Sequence, residues 1–190
     1  MNQSLKDKLD RNIWITRKCR INASERLLNW AKYIEFINIY FSIWIIILSI
    51  LSIVWNDENL SIISLICSIT LTITITYANA TNYRERAATF KHNYIELQLL
   101  LDELSYTASD DKNKIMLISK KYAEILESSE NHTPMDMYKM KCEVANNDMM
   151  ITVKEKMVYY WKKTEEFILK LFLVVVPIIV IFVVIFFSSK

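Results

Sequence analysis

The sequence contains no glycine and only two prolines among its 190 residues. Phosphate-binding loops, nucleophile elbows and dinucleotide-binding turns all depend on the backbone freedom of glycine, so these enzyme motifs are excluded. The glycine-based close-packing motif of membrane helices is excluded for the same reason. Because so few residues favour turns, we expect long helices joined by short connections.

Cysteine and net charge are also sparse. Cys19, Cys67 and Cys142 are odd in number and widely spaced, which argues against a disulfide framework, and no Cys/His spacing suits zinc. A net charge of only +2 gives no strong attraction to nucleic acid. The apolar runs also lack the ionisable or nucleophile–base groups that an intramembrane enzyme needs. We therefore predict no catalytic residue, no metal site and no cofactor.

Long uncharged apolar runs are what the sequence has in abundance. Residues 36–56 and 59–83 form two such runs, joined by the short acidic loop 55–59. Each exceeds the roughly 20 residues with which a helix crosses about 30 Å of hydrocarbon, and only a helix satisfies its own backbone in lipid. The pair predicts a transmembrane hairpin. A third run, residues 171–189, follows Lys162, Lys163 and Lys170 and predicts a further span, with a kink at Pro177. A removable targeting tail is the alternative interpretation of this run.

The remaining segments have the apolar periodicity of amphipathic helices. Residues 1–35 predict a basic helix, and helices over 82–104 and 115–126 follow the hairpin, separated by a capping segment at 109–111. From about Met135, one long helix is predicted to run unbroken into the third span. The predicted fold is an all-α membrane protein with an N-terminal transmembrane helical hairpin, a cytoplasmic helical bundle and a C-terminal third transmembrane helix. Its segments are 1–35, 36–83, 84–165 and 166–190.

Charge distribution predicts the orientation. Basic residues crowd the segment before the first span, whereas the loop after it has neither Lys nor Arg. The positive-inside rule then places the N-terminus in the cytoplasm and residues 55–59 outside. The first apolar run starts far from Met1, so we expect no cleavable signal peptide and a multi-pass protein of the inner membrane.

Each span of the hairpin has one polar stripe. On helical wheels the stripes bring together Asn38, Ser42, Ser49 and Ser52 in the first span, and Ser61, Ser64, Ser68, Thr72, Thr76 and Asn79 in the second. Thr70 and Thr74 lie off the second stripe. Two interpretations remain open. The small hydroxyl residues pack the two helices together, or they line a narrow wet path in an oligomer, with Ser42, Ser49, Ser61, Ser64, Ser68, Thr72, Thr76 and Asn79 as the candidate lining.

The basic residues next to the spans also have two interpretations. Arg17, Lys18, Arg20, Arg84 and Arg86 are candidates for contacting an anionic trigger or an acidic partner, or they anchor the chain to lipid headgroups. His132, close to Glu130 and Asp136, suggests acid–base or metal chemistry. A turn is the simpler interpretation, with Asn131 or Thr133 as the cap and Pro134 opening the next helix. His92 is interpreted as an exposed helix residue.

Several short motifs occur in a characteristic order around the hairpin. They are Trp14 to Leu27, Tyr83-Arg-Glu-Arg-Ala87, Tyr94-Ile-Glu-Leu97, Tyr122, Glu130-Asn-His132 and Asp136. Over residues 10–140 the chain resembles the SLATT family of bacterial two-span membrane effectors, and its fifth subgroup in particular. The third span departs from the two-span pattern and leaves open which spans would line a pore.

The resemblance implies an oligomer-forming effector of anti-phage defence that forms a pore or disrupts the membrane, as in abortive infection. It also implies a neighbouring defence protein as partner: a reverse transcriptase or its nucleic-acid product, or the product of a cyclic-nucleotide synthase. The alternative is a non-conducting membrane anchor for such a partner enzyme.

Overall fold

The computed structural model describes residues 5–144 and 151–188, and every regular element in these ranges is an α-helix. The six helices are α1 (Leu5–Trp55), α2 (Glu58–Ala80), α3 (Tyr83–Ser105), α4 (Lys112–Glu127), α5 (Pro134–Glu143) and α6 (Val153–Ser188). Stretches within α1, α2 and α6 are long and apolar enough to cross a membrane. The predicted class, an all-α membrane protein with three spans, is confirmed.

Contacts divide the chain into two compact units. The head unit comprises Met1–Leu28 and Arg84–Tyr159, and the span unit comprises Asn29–Tyr83 and Tyr160–Lys190. Helices α1 and α6 each contribute one part to either unit. The four segments drawn from the sequence stay a prediction.

Asparagine takes the role of glycine at two helix junctions. Asn56 and Asn82 have φ of 51° and 50°, a left-handed conformation that asparagine tolerates better than most residues. After α1, the amide of Asn56 donates to the carbonyl of Ile53 and the amide of Asp57 to that of Ser52, which is the Schellman pattern. The Asp57 carboxylate then accepts from the first amides of α2, at 2.9 Å from Asn59 N. The tight acidic loop predicted between the spans is thereby confirmed.

The core of the head unit is formed by three helices. Buried apolar residues from α1, α3 and α4 pack together: Leu9, Ile13, Leu97, Leu100, Leu104, Ile115 and Ile118. Their spacing of three or four residues puts them on one face of each helix. The caps predicted for the short connections are present, since Asp111 accepts from the amide of Lys114 at 3.0 Å and Pro134 opens α5 after Thr133.

The prediction of one unbroken helix from Met135 into the third span was wrong. Helix α5 ends at Glu143, and Val144 has φ −97° and ψ 83°, outside the helical region. The sequence beyond it contains Asn146, Asn147 and Asp148, which are weak helix formers. The apolar periodicity on either side concealed this interruption. Helix α6 then runs through Pro177 to Ser188.

Candidate functional site in the membrane hairpin

A groove of about 400 Å³ lies between α1 and α2 within the span unit. Its polar lining comes from both predicted stripes, with Asn38 and Ser42 on α1 and Ser68, Thr72 and Thr76 on α2. Apolar side chains complete it: Ile45, Ile46, Leu71 and Ile75. The structure therefore brings four of the eight candidate pore residues, Ser42, Ser68, Thr72 and Thr76, together in one concave surface.

Toward the connecting loop the same two helices are in close contact. Leu48 and Ser52 of α1 are buried, and so are Leu60 and Ser64 of α2. Small hydroxyl side chains allow helix backbones to approach closely in a membrane. Burial at the loop end of the stripes is what the packing interpretation expects, whereas the groove lies at the other end. The remaining candidates lie outside the groove, Ser49 half-buried and Ser61 and Asn79 exposed.

The four threonine hydroxyls of α2 are bonded to their own helix. Thr72 donates to the carbonyl of Ser68 at 2.9 Å and Thr76 to that of Thr72 at 2.8 Å. Thr70 and Thr74, off the stripe, do the same with Ile66 and Thr70, both at 2.8 Å. A hydroxyl keeps further acceptor capacity after donating one bond. These threonines are therefore compatible with lipid and still able to bind water.

The third span packs on the first through tyrosine hydroxyls. Tyr40 donates to the backbone carbonyl of Val174 at 2.7 Å, and Tyr33 donates to that of Lys170 at 3.1 Å. The Lys170 ammonium lies 4.5 Å from the ring centroid of Trp30 and also pairs with Glu166. These contacts fix α6 against α1 at the end of the span where the lysines lie.

The candidate trigger residues of the head unit have different environments. Arg20 is only 1% exposed, and its Nη1 donates to the carbonyl of Ile125 at 3.3 Å. The Lys18 ammonium lies 5.9 Å from the ring of Trp14. Arg86 forms two hydrogen bonds with Glu130, at 2.7 and 2.9 Å. Arg17 is half-buried and Arg84 exposed. The structure does not gather the five into one exposed surface.

Sequence reasoning missed an ion pair in the head unit whose carboxylate is buried. Arg26 of α1 donates to both carboxylate oxygens of Asp136 at 2.9 and 3.0 Å, and Asp136 is 2% exposed. The same carboxylate accepts the amide and hydroxyl of Thr133, and the backbone carbonyl of Asp136 accepts Asn22 Nδ2 at 3.0 Å. The capping pattern Thr133-Pro-Met-Asp136 indicated the contacts between Thr133 and Asp136, which are close in the sequence. The partner on α1 lies 110 residues away.

Burial controls the protonation of the neighbouring side chains. It raises the pKa of the Cys19 thiol to about 11, with a further contribution from the negative charge of Asp136. Burial lowers the pKa of His132, as does the charge of Arg20, while Asp136 acts in the opposite direction. Near neutral pH the thiol is protonated and the imidazole neutral. A protonated, buried thiol is a poor nucleophile, so this cluster has the character of a packed core.

Metal ligation has no assembled site in the ranges 5–144 and 151–188. No group of three or more His, Cys, Asp or Glu side chains in those ranges is close enough to hold an ion. His132 occupies the turn before α5, as the simpler interpretation predicted, and His92 lies on α3 with Nε2 3.4 Å from Glu96.

Comparison with known proteins extends the resemblance over nearly the whole chain. The family model of the SMODS and SLOG-associating 2TM effector domain, family 5, matches residues 2–188. The match includes α6 although the family name counts two spans. No curated protein and no solved structure matches this chain. With almost every residue matched, the chain belongs to family 5 of the SMODS and SLOG-associating 2TM (SLATT) effector domains and is a membrane effector.

Proposed function

We propose that this protein is a triggered, non-enzymatic effector of anti-phage defence that assembles into an oligomer and makes the inner membrane permeable. The observation that carries the proposal is the groove, in which Ser42, Ser68, Thr72 and Thr76 share one surface with Asn38. Hydroxyl and amide oxygens can replace part of the hydration shell of an ion. The groove faces of several copies, arranged around an axis, would line a wet path.

The spans carry no Asp, Glu, Lys or Arg between residues 36 and 56 or between 59 and 83. A path lined only by neutral oxygens has no strong charge filter. The proposed consequence is loss of membrane potential, which halts the infected cell.

The head unit is proposed to receive the trigger, with the N-terminus on the cytoplasmic side. Arg84 is exposed in this conformation and Lys18 is half-buried, whereas Arg20 would have to be uncovered. Arg17 and Arg20 each keep a buried Nε that has no hydrogen-bond partner among the described residues. An anionic trigger, such as a nucleic acid or a cyclic nucleotide made by a neighbouring defence protein, would use these donors. It shifts the closed-to-open equilibrium only by its difference in affinity for the two states.

A second function, a non-conducting anchor for a partner enzyme such as a reverse transcriptase, is favoured by a different surface. Large apolar side chains of the head unit are exposed on α3, on α4 and in the connection between them, among them Leu99 at 63%, Tyr106 at 88% and Met116 at 74%. Exposed apolar patches mark interaction sites. An anchor would need this surface and would not need the groove hydroxyls.

The experiment that separates these functions measures membrane potential in cells producing the protein with its neighbouring genes under phage infection. Thr72→Val/Thr76→Val removes two groove hydroxyls at nearly constant shape. Thr70→Val/Thr74→Val removes two hydroxyls with the same backbone bonds from the same helix outside the groove, and serves as the matched control.

For a conducting groove we expect depolarisation in the wild type and in the control, and strong attenuation in Thr72→Val/Thr76→Val. Equal protein levels in the membrane are verified by quantitative blotting. An unchanged potential in the infected wild type, with protection intact, would replace this proposal by the anchor.

A further inference from the structure

Helix α1 has two opposite faces within the span unit. Tyr40 reaches α6 from one face, while Asn38 and Ser42 line the groove from the other. Asn38 and Ser42 are each two positions from Tyr40, which is about 160° away around a helix of 3.6 residues per turn. Helix α6 therefore packs on the back of α1 and does not cover the groove.

One polar side chain of the groove, that of Asn38, has no hydrogen-bond partner among the described residues of its own chain. The backbone carbonyl of Asn38 accepts the Ser42 hydroxyl, but the Asn38 side-chain amide makes no hydrogen bond to any other residue of the described ranges. Asn38 lies at the start of the uncharged run 36–56, three positions after Glu35, where the chain enters the hydrocarbon and polar neighbours become scarce. A polar partner on another helix would stabilise such an amide by roughly 0.6 kcal/mol.

We propose that the groove side of the α1–α2 hairpin is the surface on which copies of this chain meet, with Asn38 as its central contact and α6 outside the assembly. The inference rests on the proposed oligomeric effector and adds to it which spans face the shared axis. It assigns α1 and α2 to the axis and α6 to the periphery.

A second copy is the occupant that the chemistry favours. A side-chain amide carries both donors and an acceptor, so the same group on another copy complements it across a symmetry axis. The hydroxyls of Ser68, Thr72 and Thr76 supply further acceptors beside it. The groove has no charged lining residue that would select an ionic ligand.

Disulfide cross-linking of the full chain in membranes tests this surface. In a background with Cys19, Cys67 and Cys142 replaced by Ala, single cysteines are placed at three kinds of position on α1. Ser42→Cys and Ile45→Cys report on the groove, Ile39→Cys and Ile43→Cys on exposed apolar positions, and Ile47→Cys on the side that carries Tyr40. Copper-catalysed oxidation should produce disulfide-linked dimers of the variants with a cysteine at position 42 or 45. The variants with a cysteine at position 39, 43 or 47 should remain monomeric.

The role of Asn38 is tested on the Ser42→Cys reporter. Adding Asn38→Leu should lower the cross-linked fraction at least about threefold, which corresponds to losing one interhelical hydrogen bond in a membrane. Adding Thr74→Leu, a polar-to-apolar change outside the groove, should leave it unchanged. Membrane insertion of every variant is verified by resistance to alkaline extraction.

The outcomes separate this inference from the proposed function. Cross-linking strongest at 39, 43 or 47, or insensitive to Asn38→Leu, would overturn the groove as the copy–copy surface even if infected cells depolarise. Cross-linking at 42 and 45 that requires Asn38, in cells whose potential never changes, would support the surface and remove the conduction proposal.

Discussion

At the scale of single residues, two carboxylates of the head unit bind arginine with the same two-bond geometry in different surroundings. Asp136 is 2% exposed and holds Arg26, whereas Glu130 is 43% exposed and holds Arg86. Solvent screening makes an exposed pair worth about 0–1 kcal/mol. Removing one partner of a buried pair is far more costly, because the other charge stays behind without compensation.

Asp136→Asn should therefore destabilise the head unit by about 3 kcal/mol, and Glu130→Gln by less than about 1 kcal/mol. The lower end of the usual range applies to Asp136 because Arg26 is 31% exposed and can recover some hydration. Urea unfolding of the full chain in mild micelles, followed by protease sensitivity of the head unit, measures the difference. Equal losses in the two variants would show that burial of Asp136 does not set the strength of its pair.

The sequence could predict one half of this site. Thr133, Pro134 and Asp136 lie within four positions, so local capping chemistry predicts the turn and the start of α5. Arg26 is selected from the basic residues of α1 by the packing of α1 against α5, and no local pattern distinguishes it from Arg17 or Arg20. A contact between residues 110 positions apart requires the fold.

At the scale of helices, composition predicted most elements. Uncharged apolar runs and the absence of glycine were sufficient for α1, α2 and the third span, because lipid leaves helix as the only satisfied state. The end of α5 at Glu143 was not predicted, because the sequence that follows has neither a proline nor a glycine to mark the end of a helix. Its weak helix formers, Asn146, Asn147 and Asp148, are a less distinct signal. The arrangement of α6 on the back of α1 was also beyond prediction, since tyrosine-to-carbonyl bonds leave no periodic signal.

Those tyrosine bonds allow a test at the scale of α6. Tyr33→Phe/Tyr40→Phe keeps the rings and removes both donors to α6, so the free energy of unfolding in micelles should fall by about 1 kcal/mol, at roughly 0.6 kcal/mol per membrane hydrogen bond. Tyr77→Phe, at a tyrosine 75% exposed on α2, is the control and should change nothing. A double variant as stable as the control would mean that apolar packing alone holds α6 on α1.

At the scale of the whole molecule, the charge distribution predicts a cytoplasmic N-terminus. Because the chain has three spans, its two ends are then expected on opposite sides of the membrane. Cysteines introduced at Asn56 and Ser188 should react with a membrane-impermeant maleimide in intact spheroplasts. One introduced at Ser109, in the α3–α4 connection, should react only after lysis. The experiment uses the background without native cysteines. Labelling of Ser109→Cys in intact cells, or of Ser188→Cys only after lysis, would contradict this topology.

The threonines of α2 have a consequence for how such a protein is stored in a cell. Thr70, Thr72, Thr74 and Thr76 all donate to a carbonyl of their own helix, so these four hydroxyls need no hydrogen-bond partner from another copy. The threonines therefore do not drive association, which is left to the single amide of Asn38 and depends on how many copies are present. In the proposed function, toxicity to the host cell therefore depends on the local concentration of the protein, and a signal that brings copies together would be sufficient to activate it.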